Sequence, residues 1–266
     1  MKKACFISFI LATAIVACKQ HGQPTAKISS KADTLVYTYK TIKERAADCG
    51  TKPDTACSEA DITYAVFPGH RSLNDSIVSR LLQAYQGDKP DKTLEMQAKS
   101  FVQGYMTDTL RQTDSNKMIY TLETSARVVR QDSSLVTIQI DSYAFTGGAH
   151  GGTFTGYLNW NTSEDKKVTL SDIFTPGYQE KFRKIAEKIF RSQEKLSDTS
   201  SLQSYFFKDA KFALNDNFLV TPVGIRFLYN EYEIKSYAEG QTELLIPYNK
   251  IKSLLRPQSV VSQYLK

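Results

Sequence analysis

The stretch "IDSYAFTGGAHGGTFTGYLNWN", residues 140–161, decides how the chain is read. Alternating apolar and polar residues flank Gly147-Gly148-Ala149-His150-Gly151-Gly152. A period of two is the pattern of a strand with one buried face. The spacing predicts strands at about 134–146 and 152–160, joined by a glycine-rich bend. In the first, Val136, Ile138 and Ile140 alternate with Thr137, Gln139 and Asp141; in the second, Phe154, Leu158 and Trp160 share a face. Glycine tolerates positive φ and close backbone approach, at about 0.5–1 kcal/mol relative to Ala.

One of the chain's three histidines sits in this bend, and two readings of it follow. As a general base, His150 would pair with Asp141, or with Ser142 as a nucleophile. As a bend residue it would bond backbone groups, or meet a ligand beside Gly147 and Gly148. The sequence has no Gly-x-Ser-x-Gly elbow and no His-Glu-x-x-His pair, so a structural or binding role is expected and no metal site is assigned.

Outward from the bend, a strand is expected at about 117–130, preceded by helices at 74–86 and 93–106 and by strands at 34–44 and 61–67. Asn74 is the expected N-cap of the first helix, whose Ile77, Leu81, Leu82 and Tyr85 form an apolar stripe. After the bend come a short element at 170–174, capped by Ser171 or Asp172, and an amphipathic helix at 178–195. A short helix at 202–208, strands at about 211–220, 223–229 and 241–248, and a last helix at 249–255 complete the chain. Runs of strands and helices are segregated, which predicts an α+β fold of antiparallel sheets with helices packed on one face. Two adjoining subdomains are expected, an N-terminal one at 34–162 and a C-terminal one at 163–266.

The opening "MKKACFISFILATAIVACKQ" reads as an export signal. Lys2 and Lys3 precede an apolar run at 4–16, too short for the roughly 20 residues of a spanning helix. Small residues lead into Cys18 as in a bacterial lipobox, so residues 1–17 are the expected signal peptide and Cys18 the expected acylated residue. Each buried methylene contributes about 0.8 kcal/mol, so two or three acyl chains hold a domain on a membrane. Residues 18–33 are polar and cannot build a core; they form the expected lipid-anchored tether. The expected location is the cell envelope, at the outer membrane, on its periplasmic or surface face. An exported compartment permits disulfides, and pairing Cys49 with Cys57 would stabilise by roughly 2–3 kcal/mol. The rival reading of these two as metal ligands lacks a second pair at ligand spacing. The formal charge of +6 comes without a basic cluster or nucleic-acid motif, so no nucleic-acid partner is expected. No cofactor is expected.

Several segments together resemble a known extracytoplasmic module. "YAFTGGAHGGTFTGYLNWN" resembles its Tyr-x-x-Thr-Gly-Gly-Ala-His segment, and "VTLSDIF" (168–174) the start of its second domain. "FLVTPVGIRFLYNEYEIKSYAEGQTELLIPYNKIKSLL" (218–255) resembles its closing stretch. The module consists of two adjoining bacterial domains of unknown function found in PdaC-like and RsiV-like proteins, and the pattern is similar to Bacteroidetes-type lipoproteins. RsiV-like relatives bind lysozyme through their outer part; PdaC-like relatives deacetylate peptidoglycan through a separate domain. No spanning helix or deacetylase motif is read within this sequence, so the expectation carried over is the module alone, as a binding unit for peptidoglycan or a wall-directed protein such as lysozyme. Tyr229, Tyr232 and Tyr237, with Glu231 and Glu233, are candidates to stack on sugar rings, beside His150, Gly147 and Gly148. The alternatives are an envelope hydrolase using His150 and Asp141, and an envelope-stress sensing partner.

Overall fold

The computed structural model describes residues 34–265 apart from 86, 88–89 and 111–117, so the expected signal sequence, Cys18 and the tether lie outside the described residues. Residues 32–266 form one compact unit. Its first half is a six-stranded sheet in chain order: β1 (Thr38–Arg45), β2 (Glu59–Val66), β3 (Thr121–Asp132), β4 (Leu135–Phe145), β5 (Gly152–Asn161) and β6 (Lys166–Lys167). The alternation around the bend becomes the β4–β5 ladder, in which Ala144 faces Gly152 and Leu135 faces Asn161. Val136, Ile138, Ile140, Leu158 and Trp160 point to one side, as their spacing predicts.

Two helices cover that side. In α1 (Arg71–Ala84), Leu73, Ile77 and Leu81 recur every four residues and are buried; α2 (Leu94–Thr109) buries Ala98, Phe101, Val102 and Tyr105. Each buried Leu, Ile, Val or Phe here contributes about 1.5–3 kcal/mol when taken from water. Asn74 is not the N-cap of α1. The helix starts earlier, and the Asn74 amide turns back to accept from Phe67 N–H at 2.9 Å and donate to Phe67 C=O at 2.8 Å. The pair α1–α2 carries the chain from the end of β2 back to its start, so β3 runs parallel to β2, and Glu59 pairs with Thr121. The other strand pairs of this sheet are antiparallel. The disulfide Cys49–Cys57 closes the β1–β2 excursion.

The second half holds α3 (Leu170–Ile173), α4 (Gln179–Gln193), the antiparallel sheet β7 (Phe218–Val220), β8 (Gly224–Tyr229), β9 (Thr242–Pro247), and α5 (Tyr248–Ile251). Thr169, and neither Ser171 nor Asp172, stands at the N-cap of α3; its N–H and hydroxyl both donate to the Asp172 carboxylate. Phe182, Ala186 and Phe190 of α4 pack on Phe227, Leu244 and Ile246 of the small sheet. The helix expected at 202–208 does not form, and the strand expected at 211–220 shrinks to β7. The segment instead feeds Leu202, Phe207 and Phe212 into the core as irregular chain.

The two halves meet at the outer edge of β5, where side-chain amides replace a neighbouring strand. Asn217 Oδ1 accepts from Tyr157 N–H at 3.0 Å while its Nδ2 donates to Thr155 C=O at 2.8 Å. Asn230 accepts from Thr155 N–H at 2.7 Å. In return, Asn159 Oδ1 accepts from Val220 N–H at 3.1 Å and its Nδ2 donates to Phe218 C=O at 2.7 Å. An unpaired strand edge is a template for wrong pairing; three asparagines close this one. Leu135, from the first sheet, completes the junction by packing into the second core.

Candidate binding cleft and its aromatic rim

Up to the bulge between Val128 and Arg130 in β3, the odd-numbered residues of the β2–β5 strands that line this face point away from α1 and α2. Toward Leu135 and Asn159 that face is covered by the second half; toward Glu123 and Thr153 it is open. An open cleft of about 740 Å³ lies there. Glu59 and Asp61 of β2, Glu123 and Arg127 of β3, Asp141 and Tyr143 of β4, and Thr153 and Thr155 of β5 line it, with Glu231 and Gln241 from the second half. Strand alternation puts them on one face, because every second residue of each strand carries the polar side chain.

Five carboxylates and one guanidinium line this cleft. Asp141 accepts from Arg127 at 2.7 Å and from the Thr155 hydroxyl at 2.9 Å, and Glu59 lies 3.3 Å from Lys43. Among the described residues Asp61 and Glu231 accept only hydroxyls, from Thr63 at 3.2 Å and Thr153 at 2.7 Å. Asp61, Glu123 and Glu231 thus have no cationic partner among the described residues, and the cleft is acidic on a chain of net charge +6. Among the described residues no group of three or more His, Cys, Asp or Glu is placed to hold a metal ion.

His150 is exposed, at the tip of the β4–β5 bend. Its Nδ1–H donates to Gly151 C=O at 2.9 Å, and its ring lies on that of Tyr237, centroids 4.0 Å apart at 16°. Tyr232 stacks on Tyr237 at 5.8 Å and is 59 % exposed with φ of +66°, a conformation unusual outside glycine. The three rings join the bend of the first half to the β8–β9 connection of the second. Glu231, beside Tyr232 in sequence, lines the cleft, so rings and cleft adjoin.

The candidates named from sequence are distributed as follows. His150, Tyr232 and Tyr237 come together; Tyr229 does not join them. It is 2 % exposed, its hydroxyl donating to Ala213 C=O at 2.8 Å, so it is a core residue with no face for a sugar. Asp141 is tied to Arg127, and Ser142 is buried on the helix-facing side against Thr124 at 3.1 Å; neither bonds to His150 among the described residues. Gly147 and Gly148 adopt φ of +92° and +93°, the freedom the bend requires. Gly151 is needed for a different reason: a Cβ there would lie 2.4 Å from the Tyr143 ring. The cleft itself was not singled out, although the alternation of charged residues along four strands carried the signal.

The model for "Deacetylase PdaC" matches residues 51–153, and the model for "Protein of unknown function (DUF3298)" matches residues 171–249. No curated protein matches the chain. Solved structures that share its fold include two DUF3298 crystal structures. A DUF3298 family protein from Pseudomonas aeruginosa PAO1 aligns at 24 % identity over 85 % of this chain and 96 % of its own, with a TM-score of 0.67. A DUF3298 family member from Bacteroides fragilis NCTC 9343 aligns at 24 % identity over 87 % and 97 %, also with a TM-score of 0.67. The glycine-rich bend thus falls in the stretch similar to the PdaC model, and the small sheet with the tyrosine rim in the stretch similar to the DUF3298 model, side by side in one α+β chain.

Proposed function

We propose that this protein is a lipid-anchored binding module of the bacterial cell envelope that holds a cationic, wall-directed protein such as lysozyme in the acidic cleft. The observation that carries this reading is the trio Asp61, Glu123 and Glu231, carboxylates on an open concave surface with no cationic partner among the described residues. Such a surface steers a basic partner and repels an acidic one. Tyr143 in its lining is 38 % exposed and Tyr232 at its margin 59 %, and tyrosine is enriched among residues that dominate binding energy. In this reading Cys18 carries the lipid and residues 19–33 hold the module off the membrane.

The test is a biosensor titration of residues 32–266 with lysozyme and with succinylated lysozyme, whose charge is reversed. Binding of the first alone, weakening steeply with salt, is the expected result. Equal binding of both, or of neither, overturns the proposal. Peptidoglycan is the second reading, favoured by the exposed ring stack, since aromatic faces pack on sugar rings; Tyr232→Ala would then abolish retention on wall glycan while leaving lysozyme binding intact.

A further inference from the structure

The outer side of α4 carries its cations in two different states. Arg183 is held by Glu180 at 3.0 Å and Glu187 at 2.9 Å, and Arg191 by Glu187 at 2.9 Å, so both guanidinium groups are tied to the helix's own carboxylates. The lysines at the seam between α4 and α5 are not. Lys188, Lys250 and Lys252 have no anionic partner among the described residues, and the side chain of Lys181 reaches only the Ser253 hydroxyl, at 3.5 Å. Between them runs a groove of about 540 Å³ whose floor includes Ile185 and Ile189, both partly buried against the core.

We propose that this seam rests on an anionic lipid surface. The charge complementarity is specific in kind. Lysine is a compact point charge without the planar fork that reads a carboxylate two bonds at a time. An acidic peptide fixed in register would be served by free arginines, and the arginines of α4 are already engaged. Headgroup phosphates spread over a plane need spaced ammonium groups without fixed direction, and branched aliphatic side chains between them reach the shallow apolar layer. The seam supplies both, on residues separate from the acidic cleft.

The experiment is co-sedimentation of residues 32–266, which lack the leader and Cys18, with phosphatidylcholine vesicles and with vesicles containing one third phosphatidylglycerol. Binding to the anionic vesicles alone is expected, with release at high ionic strength, where the Debye length shrinks to about 3 Å at 1 M. Each lysine near such a surface is worth about a fivefold change in affinity, so Lys188→Gln with Lys250→Gln should weaken binding about 30-fold. Both side chains are exposed, and an unchanged urea midpoint of the double variant shows that it is folded. Absence of binding to anionic vesicles, equal binding to both vesicle types, or a double variant that binds like the parent overturns the inference. Retention by a glutamate-rich peptide without vesicle binding overturns it in favour of a protein partner.

Discussion

Replacing Asn217 with Ala tests whether side-chain amides hold the two halves together. Three hydrogen bonds end on that side chain: Tyr157 N–H at 3.0 Å, Thr155 C=O at 2.8 Å and Leu228 C=O at 3.2 Å. The losses are unequal. Thr155 C=O keeps the Asn230 amide at 3.1 Å, and Leu228 C=O keeps the Asn215 amide at 2.7 Å. Tyr157 N–H loses its acceptor at a buried position. A buried donor without a partner costs about 1–3 kcal/mol, so Asn217→Ala should destabilise by about 2 kcal/mol. At this chain length that is a fall in Tm of about 4–8 °C. Calorimetry and urea unfolding of residues 32–266 measure it. Asn161→Ala is the control, since its Oδ1 accepts from Ser163 and Glu164 N–H in an exposed turn where water substitutes. An Asn217→Ala change within about 0.5 kcal/mol of the parent would refute the reasoning and assign the junction to apolar packing.

Three further outcomes follow from particular atoms. Gly224→Ala should cost about 3 kcal/mol, because its Cβ would meet the Ile246 carbonyl oxygen at 2.3 Å and that backbone cannot swing aside; Gly152→Ala, with nothing within 4 Å, should stay within about 0.5 kcal/mol of the parent by urea unfolding. Replacing Cys49 and Cys57 by Ala should lower stability by about 2.5 kcal/mol, since the bridge closes a loop with a sequence separation of 8; an unchanged urea midpoint would count against this. Burial, and then the hydrogen bond to Glu194, pushes the Tyr205 phenol from 10.0 up to about 12, and burial also raises Tyr229, Tyr248 and Tyr264. The folded state keeps these protons when the unfolded chain releases them, so their contribution is full below about pH 10 and is lost as pH rises toward 12 and beyond. Urea midpoints that stay level from pH 9 to pH 11.5 would contradict it.

Much of the fold was legible where one periodicity ran unbroken. The strand expected at 134–146 is β4 at Leu135–Phe145, and the helix expected at 178–195 is α4 at Gln179–Gln193, because burial of one face dictates both patterns. Reading failed where a side chain serves a distant backbone. Asn74 looks like a helix cap, yet its amide closes on Phe67; Asn217 lies in a stretch that reads as strand, yet acts as a substitute strand for β5. Nor does local pattern state direction, and the parallel pairing of β2 with β3 depends on how far α1 and α2 carry the chain. Part of the rim was legible: His150 stands out as one of three histidines, and Tyr237 belongs to a cluster of tyrosines and glutamates. Tyr229 shared their composition, and only burial separates it from them. The cleft was harder to read, because Asp61, Glu123 and Asp141 look like ordinary solvent-facing residues until three strands set them side by side.

The most direct measurement is a calorimetric titration of lysozyme into residues 32–266 and into the Glu123→Gln, Glu231→Gln double variant. Both substitutions keep the shape of the cleft and remove two of the carboxylates that have no cationic partner among the described residues. At about 0.7 kcal/mol for each exposed charge pair, the variant should bind about tenfold more weakly than the parent at low salt, and the two should converge as salt is raised. Equal affinity of parent and variant at low salt, or no heat of binding with the parent, would contradict the account.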